Sequence, residues 1–70
     1  MTDWDLLEEK IEASGLKRSY IYDKLGISRY AWSKRHSRKS DFTASEILTL
    51  CDILRITKLS EREQIFFAKL

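Results

Sequence analysis

Apolar residues recur at helical spacing in five short stretches along this chain. Trp4, Leu7 and Ile11 fall at i, i+3 and i+7, with Asp5, Glu8, Glu9 and Glu12 around the opposite side. This predicts a helix over about residues 3 to 14, capped by Thr2 with Asp5 as its reciprocal partner. Gly15 is the expected left-handed stop, and Leu16 the residue that folds back on Ile11. A second, shorter helix runs from Arg18 to Leu25, with Ile21 and Leu25 facing inward. Gly26 ends it, Ile27 packs back, and Ser28 is placed to cap a third helix over about residues 29 to 37. Two helices joined this tightly must cross steeply, as in a helix-turn-helix motif.

In the third helix Trp32 and His36 share one side, while Arg29, Tyr30, Ser33, Lys34 and Ser37 share the other. Only one side can be buried, and Trp32 selects it. Thr43 to Glu46 has the form of a full capping box, followed by Ile47, Leu50, Cys51 and Leu54 on one stripe. Ser60 to Glu63 has the form of a second box, with Leu59 before it and Ile65, Phe66, Phe67 and Leu70 after it. Adjacent helical positions point about 100° apart, so Phe66 and Phe67 cannot both face one small core. One of them is free, with Leu70, to meet a second copy or another protein.

Composition supports an all-α fold of one domain over residues 1 to 70. There is no Pro, and there are only two Gly, which suits helices with tight links better than strands with many turns. With one Cys and one His neither an internal disulfide nor a metal staple is expected. No apolar run approaches the ~20 residues of a membrane span, and the acidic start MTDWDLLEEK is the reverse of a signal peptide. A cytoplasmic protein without cofactors is therefore expected.

Charge changes the picture more. The segment from Lys17 to Lys39 holds eight of the thirteen Lys and Arg residues and one acid, Asp23, a local balance of +7 within a chain of net charge +2. A basic face on an acidic remainder orients a protein on a polyanion. No Gly-rich phosphate loop, nucleophile motif or paired-carboxylate arrangement is present, so an enzyme is not expected. Trp4, Trp32 and Cys51 read as core residues, and His36 as a partly buried residue at the core edge.

The run Ile21-Tyr22-Asp23-Lys24-Leu25-Gly26-Ile27-Ser28-Arg29 resembles the helix-turn-helix of the Xre family, the group that includes Cro and the lambda-repressor-like DNA-binding domains. The run from Lys39 to Ile47 resembles the family's link into its fourth helix. The resemblance covers nearly the whole chain. It implies a five-helix lambda-repressor-like domain whose second and third helices form the motif, acting as a transcription regulator of phage or prophage origin in the bacterial cytoplasm. Such regulators bind double-stranded operator DNA as homodimers, with the third helix in the major groove.

On that resemblance Ser28, Arg29, Tyr30, Ser33 and Lys34 form the base-reading set, Arg29 suited to guanine and Tyr30 to a thymine methyl or a phosphate. Lys17, Arg18 and Ser19 at the start of the second helix, with Arg38 and Lys39 beyond the third, are placed to hold phosphates. Phe66, Phe67 and Leu70 are the candidate dimer or partner contact. Tyr22 stands where the family has a small residue, Arg35 or His36 where it has an aliphatic one, and Ser37-Arg38 where it often has Asn-Gly. These positions motivate the alternative of a helix-turn-helix adaptor that acts through protein contact, such as a repressor modulator, antirepressor or antitoxin.

Overall fold

The computed structural model describes residues 1–68 of the 70. Five helices follow one another: α1 (Trp4–Ser14), α2 (Arg18–Leu25), α3 (Arg29–His36), α4 (Ala44–Ile53) and α5 (Leu59–Phe66), with no strand among the described residues. The radius of gyration, 11.1 Å, is that of a compact chain of this length, for which scaling gives about 11 Å. No helix of the described residues is long and apolar enough to cross a membrane.

None of these helices exceeds 11 residues, and helices so short are marginal alone in water. They persist because each buries a stripe. Trp4, Leu7 and Ile11 of α1, Ile21 of α2, Trp32 of α3, Ile47, Leu50 and Cys51 of α4, and Ile65 and Phe66 of α5 meet in one core, closed by Phe42, Leu54 and Ile56 from the links. Trp4, Trp32 and Phe42 form its aromatic centre, with ring centroids 5.3 to 5.6 Å apart. Burial pushes the Cys51 thiol up from its ordinary value, as its place on the inner stripe of α4 requires.

Four helix ends stop in the left-handed region. Gly15 and Gly26 each have φ +70°, which glycine adopts at little cost. Arg38 (φ 66°) and Arg55 (φ 57°) close α3 and α4 in the same way, although a side chain there costs roughly 1–2 kcal/mol. At α4 the Arg55 amide donates to Asp52 and the Ile56 amide to Cys51 (3.2 and 2.8 Å), the paired bonds of a Schellman ending.

Three sequence expectations change at the chain ends. Asp3, not Thr2, caps α1, its carboxylate accepting from the Leu6 amide at 3.2 Å. Thr2 is buried beneath residues that pair across the molecule, where the Asp3 amide donates to Ile65 and the Ala68 amide to Met1. Its hydroxyl therefore turns to Asp41 instead (3.4 Å). The second capping box does not form: α5 begins at Leu59 with Lys58 as an uncapped N-cap, which puts Ser60 inside the first turn. By contrast the Thr43 box is complete, Thr43 accepting from the Glu46 amide and Glu46 from the Thr43 amide.

The third change concerns the spare apolar surface. Phe66 is buried and lies edge-on to Phe42 at 6.1 Å, so it seals the core and is not a partner contact. Phe67 is 58% exposed, as the angular argument required of one of the pair. Leu70 lies outside the described residues.

Candidate nucleic-acid interface

The link between α2 and α3 is built from local bonds. The Gly26 amide donates to Asp23 and the Ile27 amide to Tyr22, both at 3.1 Å, which closes α2 in one turn. Ile27 then packs on the core, and Ser28 starts α3 with its hydroxyl oxygen accepting from the Ala31 amide at 3.0 Å. Ser28 is exposed, but that oxygen is occupied as a helix cap. Tyr22 lies against Trp32, ring centroids 5.2 Å apart, so the larger residue is accommodated by aromatic contact between the two helices.

Arg29, Tyr30, Ser33 and Lys34 are all exposed on the outer side of α3. Tyr30 is 72% exposed, and the Lys34 ammonium sits 5.6 Å from its ring centre, a contact of phenol face and cation. A shallow groove between α2 and α3 is lined by Arg18, Tyr22, Arg29, Trp32, Ser33 and His36. Thus two of the base-reading candidates share a wall with one of the phosphate candidates.

The phosphate set divides. Lys17 and Ser19 are exposed at the start of α2, where no side chain caps the free amides. Arg38 and Lys39 are exposed beyond α3 in a turn whose amides donate to Arg35 and Lys34, each at 3.0 Å. Arg18 is not free. Its guanidinium holds the Glu8 carboxylate of α1 with both prongs, Nη1 to Oε1 at 3.0 Å and Nη2 to Oε2. Those hydrogen bonds hold the Glu8 carboxyl below its ordinary value and raise that of Arg18.

Two further residues shape the site in ways their sequence positions did not show. Arg35 turns inward from α3, with Nε and Nη2 donating to the two Glu46 oxygens at 3.0 and 2.9 Å and Nη1 to the Ala31 carbonyl at 3.0 Å. Its guanidinium carbon lies 5.9 Å from the centre of the Phe42 ring. The signal was present as a charged residue where an aliphatic one was expected, together with an acid at the third position of α4. His36, expected at the core edge, is more exposed than that: its ring covers Trp4 at 4.5 Å while 55% of its side chain stays accessible. Trp4 shields one face only, and the His36 Nε2 lies 3.9 Å from Glu8 Oε1.

No group of three His, Cys, Asp or Glu residues placed to hold a metal ion occurs among the described residues. Comparison of the chain with family models, with curated proteins and with solved structures finds no match.

Proposed function

We propose that this chain is a sequence-specific DNA-binding transcription regulator, in which α2 and α3 act as a helix-turn-helix and α3 enters the major groove. One observation carries the reading. Helix α3 is anchored from its inner side by Trp32 and by the Arg35–Glu46 ion pair, while Arg29, Tyr30, Ser33 and Lys34 all project from its outer side. Lys17, at the start of α2, and Arg38 and Lys39, beyond the end of α3, are exposed as well. Contacts to phosphate position such a helix, and contacts to base edges specify the sequence.

A helix of this kind reads few bases, so a homodimer on half-sites about 34 Å apart is the natural functional unit. Leu59, which opens α5, and Phe67, just beyond its end, are 63% and 58% exposed and are the apolar surface for it. The same two residues support the second reading, a phage adaptor that binds another protein.

The test is selection of bound sequences from random duplex DNA, followed by affinity measured across salt. The DNA reading expects an enriched site and a log K that falls linearly with log salt, by about 0.9 per phosphate neutralised. Failure to bind any duplex at low salt, with stable co-purification of a neighbouring gene product, would favour the adaptor instead.

A further inference from the structure

One acid from α1 reaches the basic segment, and the DNA reading does not use it. Glu8 reaches across from α1 to the start of α2, is held by both prongs of Arg18, and lies 3.9 Å from His36. The two partners remain open to solvent, with side chains 38% and 31% exposed for Arg18 and Glu8. Of the two, Arg18 lines the groove that Arg29 and Ser33 also line. In the free protein Arg18 therefore adds no net charge to the face that its position would serve.

We infer that Glu8 is a built-in competitor of the DNA backbone: its carboxylate occupies the guanidinium that would otherwise take a phosphate at the start of α2. The inference rests on the DNA reading and concerns the regulation of the same face. A carboxylate and a phosphate diester ask the same of a guanidinium, two parallel N–H donors and a positive charge. An arriving phosphate must either displace Glu8 or share Arg18 with it. In both cases it stays within a few ångströms of a negative charge, well inside the ~10 Å screening length at 0.1 M salt. Glu8 thereby lowers the affinity for every sequence alike, and keeps non-specific binding weak relative to what the reading helix selects.

Glu9 provides the comparison. It is the next residue of α1 and carries the same charge, but it is exposed and bonded to none of these cations among the described residues. Glu8→Gln, Glu9→Gln, Arg18→Gln and the double variant Glu8→Gln with Arg18→Gln are to be titrated with duplex DNA across salt, each first shown to be folded by circular dichroism. Glu8→Gln is expected to bind about tenfold more tightly at 0.1 M salt, with a salt slope steeper by about 0.9, one added phosphate contact. Glu9→Gln is expected to gain twofold or less. Arg18→Gln is expected to weaken binding by the parent, because it leaves the Glu8 carboxylate uncompensated on this face, and to remove most of the gain in the Glu8→Gln background.

Equal gains for the two Glu variants, or weaker binding by Glu8→Gln, would overturn the inference while leaving DNA binding intact. In the latter case Glu8 would be a positioning residue for Arg18. Absence of duplex binding by the parent and by Glu8→Gln would overturn the DNA reading itself.

Discussion

Breaking the ion pair between Arg35 and Glu46 should be among the most damaging changes a polar residue of this protein can suffer. The two side chains are 14% and 11% exposed, and each has additional duties. Arg35 also donates to the Ala31 carbonyl, and Glu46 also accepts from the Thr43 amide that opens α4. Removing one partner of a buried pair leaves the other without compensation, at about 3–5 kcal/mol. Residual exposure and the retained cap place this pair at the lower end, about 3 kcal/mol. In a domain of this size 1 kcal/mol moves Tm by about 4–8 °C, so Arg35→Met should melt roughly 12–24 °C below the parent. Met keeps an apolar stem over Phe42, which confines the loss to charge and hydrogen bonds. Glu46→Gln alone should also destabilise, because it leaves the guanidinium facing a neutral amide. The double variant should recover to within about 1 kcal/mol, since a neutral, well-packed pair often matches a buried salt bridge and Gln still serves a capping box. Urea denaturation of the four proteins closes the cycle. A single Arg35→Met variant within 1 kcal/mol of the parent, or a double variant no better than the single, would refute the reasoning.

Arg55 holds a left-handed φ of 57° with a side chain that has no salt-bridge partner among the described residues. Arg55→Gly should therefore raise stability by about 1 kcal/mol, read as an increase in the urea midpoint. For Glu8 the sign follows from its lowered pKa: folding favours the carboxylate, so its contribution is present above the ordinary value of 4.5 and fades as pH falls through the lower folded value. The pair is too exposed to supply more than about 1 kcal/mol, and Arg18→Gln should flatten that part of the acid limb in melts between pH 2 and 6. On DNA, Arg29→Ala should relax preference at one base pair by about 1–3 kcal/mol, whereas Lys39→Ala should weaken all sequences alike and reduce the salt slope by about 0.9. Base-by-base competition assays separate the two.

Where each helix lies was legible in the sequence because its signals are local. The spacing of Trp4, Leu7 and Ile11, the glycines at 15 and 26, Ser28 as cap and the Thr43 box each depend on residues within one or two turns, and all are present as read. What failed depended on distant partners. Thr2 looked like a cap until the pairing of residues 1–3 with residues 65–68 buried it. Ser60 is the exception, a local failure: α5 begins at Leu59 with Lys58 as its N-cap, so Ser60 falls inside the first turn. Arg18 and Arg35 both counted as basic surface, yet each meets an acid ten or eleven positions away on another helix. A count of charges along the chain cannot tell a free cation from a paired one. The +7 of the middle segment therefore overstates the field of the face it identified: two of its eight cations are balanced by Glu8 and Glu46, which lie outside the segment.

That subtraction sharpens the assignment of roles on α3. An eight-residue helix has no stability of its own to speak of, so its orientation depends on its attachments: the Ser28 cap, Trp32, Arg35 and the turn at Arg38. None of these is among Arg29, Tyr30, Ser33 and Lys34. The residues that fix the helix and the residues that can meet a ligand are thus separate sets on one short element. In structural terms, the outer four can be replaced without disturbing how α3 is held. The inner pair works the other way: substitution at Trp32 or Arg35 alters the angle at which all four outer residues are presented, and so should weaken every target together.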